Sequence, residues 1–398
     1  MSRTLTLFSY KIRFFFGPAL RSRLGPLVFL ALILLFVPTG YGIGIALGEG
    51  MKGASAAVGI SILSSPLGGL LALGLLYGLF SGVTAHVSEF DFFMTADVRP
   101  REYLRSDLLF QFTSLFGAGG LAAIVSAFGI VSAVGRPAWV VAPLLLLLFA
   151  FALLVLMVIQ LIVVLSVRYP KAHVRALAAL VLVLSLLPAA SLAVPEFPLR
   201  LDGVLLPTTA FGTLGYEVLR GLPLDLAALA VAGATFFLVA GAWLALSDTY
   251  IFHGIHPSLS AGFGQVDMAA RMAQQRRMTA GLGRFTTRVT VRTDRGSDTG
   301  FMLRYHLIRI LRDGSLIFIM LFAFISIMPV QIGTPAESPN GPKFLATQIL
   351  TFLPAILALN WSYYERENLW IVVTTSKTPA AYFRGLMMSL MAIGLVVA

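Results

Sequence analysis

Long apolar runs separated by short polar intervals set the pattern of this chain. Stretches of about 20 or more uncharged residues occur at roughly 26–48, 55–84, 108–134, 138–167, 176–194, 226–247, 315–333 and 344–364, and a ninth starts near 385. About 20 apolar residues cross the ~30 Å hydrocarbon layer as a helix. A β-barrel needs strands of alternating hydrophobicity, and VVAPLLLLLFAFALLVLMVIQLIVVL (140–165) does not alternate. The pattern predicts an all-α fold: a polytopic membrane helix bundle with about six spans per half and interfacial amphipathic helices.

The polar intervals orient it. With the N-terminus in the cytoplasm, the intervals 1–25, 85–107, 168–175, 248–314 and 365–384 hold 24 of the 29 Lys and Arg. The outer intervals keep only Lys52, Arg136, Arg200, Arg220 and Lys343. That imbalance is what the positive-inside rule requires. It also accounts for the net charge of +11 without nucleic acid as a partner. The start, MSRTLTLFSYKIRFFFG, has no small-residue cleavage site after a short apolar core and does not read as a cleaved signal peptide. With no Cys, disulfide and thiolate chemistry are excluded.

Four polar intervals stand out. EFDFFMTADVRPREYLRSD (89–107) places eight charges in nineteen residues of a chain that is 12% charged. Segment 195–225 is too polar to span and too apolar for an ordinary loop. It is expected either to dip into the outer leaflet, broken by Pro207 and Gly212, or to fold as an outer loop. Segment 248–314 carries ten Arg and no Lys. It ends in FMLRYHLIRILRDG, where Arg304, Arg309 and Arg312 alternate with apolar residues as in a helix lying at the headgroups. The N-terminus repeats that design, with Lys11, Arg13, Arg21 and Arg23 among Phe14, Phe15, Phe16 and Leu20.

The repetition extends further. A shift of 279 aligns 90–108 with 369–387, matching Thr95 with Thr374, Pro100 with Pro379, Tyr103 with Tyr382 and Arg105 with Arg384. Each copy has an acidic start, Glu89 and Asp91 in one, Glu365 and Glu367 in the other. Each reads as a short helix, a break, and a helix entering the membrane. Thr378 and Pro379 form an N-cap followed by proline at the first helical position. Arg99 is a poor cap in the first copy, so Asp97 is expected to serve there.

Several chemistries are absent. No phosphate-cradling G-x-x-x-x-G-K-[ST] occurs. The expected spans hold almost no ionisable side chain; Gln111 and Gln160 are the notable polar ones. A proton- or sodium-coupled carrier usually keeps an intramembrane Asp, Glu or His, and paired carboxylates for hydrolysis are missing too. His253 and His256 have the H-x-x-H spacing, but only Asp248 stands near them, so no metal site is assigned. Gly44/Gly48 and Gly74/Gly78 fit small-residue helix packing.

ERENLWIVVTTSKTPAAYFRGL (365–386) resembles the permease subunits of ABC-2-type exporters. SEFDFFMTADVRPREYLRSDL (88–108) is similar to the same element, and LPTTAFGTLGYEVLRGLP to the family's amphipathic stretch between spans five and six. The resemblance implies two fused transport halves. Residues 1–248 would be the first half, with connecting helix 3–25 and coupling segment 88–107; 249–300 would be a basic cytoplasmic linker. Residues 301–398 would start the second half, with connecting helix 301–313 and coupling segment 365–384; the chain is expected to continue for three more spans. It further implies that the chain is not an enzyme, and that a cytoplasmic ATPase in two copies binds ATP and Mg and docks on the coupling segments. Glu89, Asp91, Phe92, Pro100, Arg101, Glu102, Tyr103 and Arg105 would form one docking surface; Glu365, Glu367, Pro379, Tyr382 and Arg384 the other. Tyr103, Phe92 and Tyr382 would be its anchors. The rivals are a secondary transporter with inverted repeats and a scaffold that transports nothing. The uncharged spans favour an amphipathic cargo.

Overall fold

The computed structural model describes residues 3–21, 25–52, 55–80, 98–115, 120–193, 205–249, 297–312 and 379–397. Among them every regular element is helical. The helices are α1 (Arg3–Arg21), α2 (Gly25–Met51), α3 (Ala56–Phe80), α4 (Pro100–Leu115), α5 (Leu121–Val134), α6 (Val141–Arg168), α7 (Lys171–Ala193), α8 (Pro207–Arg220), α9 (Leu226–Leu246), α10 (Asp298–Arg312) and α11 (Pro379–Val397). A short 3-10 turn, Ala138–Val140, leads into α6. They fall into two compact units, α1 to α9 in one and α10 with α11 in the other.

In the first unit α6 is the axis. Its side chains from Phe151 to Val164 are mostly buried, in contact with α3, α4, α8 and α9. Leu71 and Leu75 of α3, Phe211 and Leu214 of α8, and Ala228 and Ala232 of α9 close around it. Phe151 meets Phe211 edge to face at 5.1 Å, the arrangement the ring quadrupoles prefer. The outer helices invert the usual surface. In α9 Leu226, Phe237 and Leu238 are each more than 70% exposed, and among its residues only Ala228, Ala232 and Trp243 are buried. A helix apolar all round and packed along one stripe is made for lipid, since soluble surfaces rarely expose contiguous apolar patches of that extent. Among the described residues, Ala56–Leu75, Ala138–Arg168 and Leu226–Leu246 are long and apolar enough to cross a membrane.

Glycines set the closest crossings. Gly40, Gly44 and Gly48 run down one face of α2 against Ala122, Ser126 and Ile130 of α5. A Cβ on Gly44 would strike the Ser126 carbonyl. Gly74 and Gly78 meet Val155, Ile159 and Ile162 of α6 in the same way. Both pairs therefore do the packing their spacing predicts.

Of segment 195–225, residues 205–225 are described. Pro207 starts α8 instead of breaking it, as proline at the first helical turn can. Thr209 stabilises that start, its hydroxyl accepting from the Leu206 N–H at 2.7 Å. Gly212 sits inside the helix, where Ser64 of α3 leaves no room for a side chain. The other end is tied down by two arginines. Arg136 Nε donates to the Leu219 carbonyl at 3.0 Å, and Arg220 donates to the Met51 carbonyl at the end of α2. Cations at unsatisfied C-terminal carbonyls are favoured.

The expected third span, 108–134, is described as two helices, α4 and α5. Helix α4 runs without interruption from Pro100, so the charged interval and the entry into the apolar run are one element. The expected spans at 315–333 and 344–364 and the linker interior lie outside the described residues.

Candidate functional site

Helix α4 carries Tyr103, Asp107 and Gln111 at four-residue spacing, which places all three on one face. That face turns inward: Tyr103 and Asp107 are 0% exposed and Gln111 is buried with them. Across from it, α1 buries Leu7 and Lys11, again four residues apart. Lys11 Nζ lies 2.8 Å from Asp107 Oδ1, an ion pair enclosed on both sides. The same ammonium donates to the Tyr103 hydroxyl at 3.2 Å and sits 4.4 Å from the centre of the Tyr103 ring. Such a contact strengthens as water is excluded.

The second carboxylate oxygen ties the pair to the axis of the bundle. Asp107 Oδ2 accepts from Gln111 Nε2 at 2.7 Å and from Gln160 Nε2 of α6 at 3.0 Å. Gln160 Nε2 also reaches the Leu104 carbonyl at 3.2 Å, while Gln160 Oε1 accepts from the Trp243 indole of α9 at 2.8 Å. Four helices, α1, α4, α6 and α9, therefore meet at one polar cluster inside an apolar shell of Leu7, Leu104, Met157, Leu161 and Val164. Uncompensated burial of either charge costs several kcal/mol. Three donors on Asp107, with the lysine as counterion, provide that compensation. Its arrangement fixes the position of α4 relative to the interior.

Expected docking residues divide by exposure. Arg105 is exposed, as is Arg99 at the start of α4. Arg101 lies 3.6 Å from Asp248 across exposed surface, and surface pairs of that kind contribute ~1 kcal/mol at most. Pro100 opens the helix, and Glu102 accepts from the Arg99 N–H at 3.2 Å. Glu102 thus supplies the N3 half of a capping box; Asp97 lies outside the described residues. Tyr103 corrects the expectation of a protruding anchor: its ring is fully enclosed by its own chain, because Lys11 and the α1 helix cover it. Nor is Asp107 part of a water-exposed interval. With Lys11 it puts two ionisable groups in the interior from the polar intervals that flank the expected spans. Glu89, Asp91 and Phe92 lie outside the described residues.

In the second unit α10 and α11 pack against each other. Pro379 opens α11, Arg384 is exposed, and Tyr382 is 0% exposed. Tyr382 is therefore an interior residue like Tyr103. Its ring lies 4.7 Å from that of His306, tilted by 76°, and His306 is also 0% exposed. Neither imidazole nitrogen makes a hydrogen bond of ordinary geometry. Burial, with the Arg309 charge behind it, lowers the His306 pKa from 6.5 to about 4; a backbone group of Tyr382 acts weakly the other way. Glu365 and Glu367, like His253 and His256, lie outside the described residues. Among the described residues no group of three or more His, Cys, Asp or Glu could hold a metal ion.

The sequence reading missed the cluster. Its one local signal was the Tyr103–Asp107–Gln111 spacing; nothing along the chain pairs Lys11 with a residue 96 positions away. Comparisons with family models, with curated proteins and with solved structures find no match to this chain.

Proposed function

We propose that the chain is the membrane permease of an ATP-driven exporter, moved by a separate cytoplasmic ATPase that binds ATP and Mg. The bilayer is its solvent and its N-terminus faces the cytoplasm, in accord with the side that holds 24 of 29 basic residues. One observation carries the reading. The polar start of α4 is exposed at Arg99 and Arg105, and two residues beyond Arg105 the same helix is bonded through Asp107 to α1 and α6, and through Gln160 to α9. A force applied at the exposed end would reach the axis of the bundle without a flexible joint. That is the mechanical property a coupling element needs.

Docking on that end would rest on Arg99 and Arg105 for orientation. Tyr103 would support the helix from inside instead of entering a partner pocket. The test is co-purification of the full chain with a soluble ATPase bearing a phosphate-binding loop, encoded beside it. Arg99→Glu with Arg105→Glu should cut the captured ATPase by roughly tenfold or more through like-charge contacts and lost steering. Capture that ignores both reversals, or a chain that moves cargo with no nucleotide present, would end the proposal.

Asp107 supports a second reading. A buried carboxylate is what a coupled carrier requires, and the earlier argument against that class was its absence. Against it, the carboxylate is already occupied by Lys11, Gln111 and Gln160. Nucleotide dependence of transport separates the two.

A further inference from the structure

Helices α6 and α7 meet in a tight corner. Tyr169 and Pro170 alone separate Arg168, the last residue of α6, from Lys171, the first of α7. Tyr169 is extended, as the residue before a proline prefers. Its N–H donates to the Leu165 carbonyl at 2.8 Å and closes α6. The N–H of His173 donates to the Pro170 carbonyl at 3.0 Å, so α7 starts at once. This corner carries three exposed cations, Arg168, Lys171 and Arg175.

Among the described residues nothing balances that charge. Helices α6 and α7 contain no Asp or Glu, and neither does α3, against which α7 packs. Helix α8 has one acid, Glu217, whose carboxylate accepts from the Asp225 N–H. None of the three cations makes an ion pair with a described residue. Arg168 has only the Tyr169 ring, with 5.9 Å from the guanidinium to the ring centre. Lys171 and Arg175 stand one turn apart, a like-charge spacing that weakens a helix when no anion intervenes.

Beyond the cations the surface turns apolar. Helix α7 buries a stripe of Val174, Ala178 and Ser185, while Leu177, Leu180 and Val183, away from that stripe, are each more than half exposed. On the other side of the corner, Arg168 ends Ala138–Arg168, a stretch of 31 residues long and apolar enough to cross a membrane. At 1.5 Å per residue it measures about 46 Å against ~30 Å of hydrocarbon, so its charged end reaches headgroup level. Tyr169, half exposed beside it, is a residue type enriched at that level.

We propose that the α6–α7 corner binds an anionic phospholipid, with the phosphate among Arg168, Lys171 and Arg175 and the acyl chains along Leu177, Leu180 and Val183. Cations alone would suit any acidic partner, and an apolar face alone would suit any lipid. Their succession along one helix matches a molecule that is anionic at one end and apolar for the rest. An acidic protein would cover the cations and leave the leucines bare. The inference rests on the bilayer as the chain's solvent and is independent of the exporter reading.

The chain has no Cys, so Ala176→Cys in the full-length chain takes a single fluorophore on exposed surface between the cations and Leu180. The labelled chain is reconstituted in phosphatidylcholine vesicles that hold, at the same low mole fraction, either phosphatidylglycerol or phosphatidylcholine with brominated acyl chains. Quenching by the anionic lipid should exceed quenching by the zwitterionic one by about fivefold or more, the enrichment that one cation at a membrane surface supplies. Arg168→Gln, Lys171→Gln and Arg175→Gln should each lower the excess, and the three together should bring the ratio to about one. Arg99→Gln with Arg105→Gln, at exposed positions of α4, removes cations elsewhere and should leave the ratio unchanged. Equal quenching by the two lipids in the parent would overturn the proposal, and that is the result if the corner receives an acidic protein instead. An excess that survives all three replacements, or that falls as far with the α4 pair, would overturn it too.

Discussion

Replacing Lys11 by Met removes the cation that lies 2.8 Å from Asp107 Oδ1 and leaves its shape nearly filled. The carboxylate would stay buried, with Gln111 and Gln160 still donating to Oδ2 and the lysine's bond to Oδ1 gone. Breaking a buried pair from one side costs about 3–5 kcal/mol. The two remaining amide donors place this case at the lower end, about 3 kcal/mol. That is a factor of about one hundred in the folding equilibrium, or roughly 6–12 °C in melting temperature for a unit of this size. Removing both charges, with Lys11→Met and Asp107→Asn together, should cost no more than about 1 kcal/mol, because a neutral pair leaves no stranded charge. Thermal unfolding in detergent, followed by tryptophan fluorescence, measures both. Trp243 is a local reporter, since its indole donates to Gln160, which in turn donates to Asp107. A single variant that melts within about 2 °C of the parent, or a double variant as unstable as the single, would refute the claim that the lysine balances the aspartate.

Other consequences follow from the same packing. Gln160→Leu strands the Trp243 indole and removes one donor from Asp107, so about 2–3 kcal/mol should be lost and the tryptophan emission should shift. Gly44→Val should disable the α2–α5 crossing, where Ser126 leaves no space, at about 3 kcal/mol or more; Gly17→Ala, which meets open space, should be silent by the same melt. In the second unit, His306 binds a proton more readily unfolded than folded. Its contribution is therefore complete above pH 6.5 and is lost as pH falls toward about 4, up to about 3 kcal/mol in all. Hydrogen exchange of α10 and α11 should rise across that interval, and His306→Phe should flatten the rise.

Much of the architecture was legible because hydropathy reports directly on length and environment. The runs at 26–48, 138–167 and 226–247 correspond to α2, α6 and α9 within a few residues. The Gly44/Gly48 and Gly74/Gly78 spacings found their partners, since small residues leave few other uses at a helix crossing. The site was less legible, and for a specific reason. Periodicity says that Tyr103 shares a face with Asp107 and Gln111, but not whether that face meets another protein or α1 of the same chain. A tyrosine suited to an interface is equally suited to an interior that offers it a cation. Lys11 read as one more positive charge on an amphipathic helix because its counterion lies in a distant element. Segment 195–225 was ambiguous because α8 is amphipathic and its partner α3 is apolar all round, so nothing in either stretch alone indicates the match.

The proposed mechanism stands on the exposed start of α4 facing the cytoplasm, with the α5–α6 turn on the other side of the membrane. The chain has no Cys, so single cysteines are unique labels. Arg99→Cys and Trp139→Cys both sit at exposed positions, Trp139 being 71% exposed. Membrane-impermeant maleimide on sealed vesicles of known orientation should modify position 99 only from the cytoplasmic side and position 139 only from the opposite side. Labelling of both positions from one side, or of position 99 from the outside, would contradict the account.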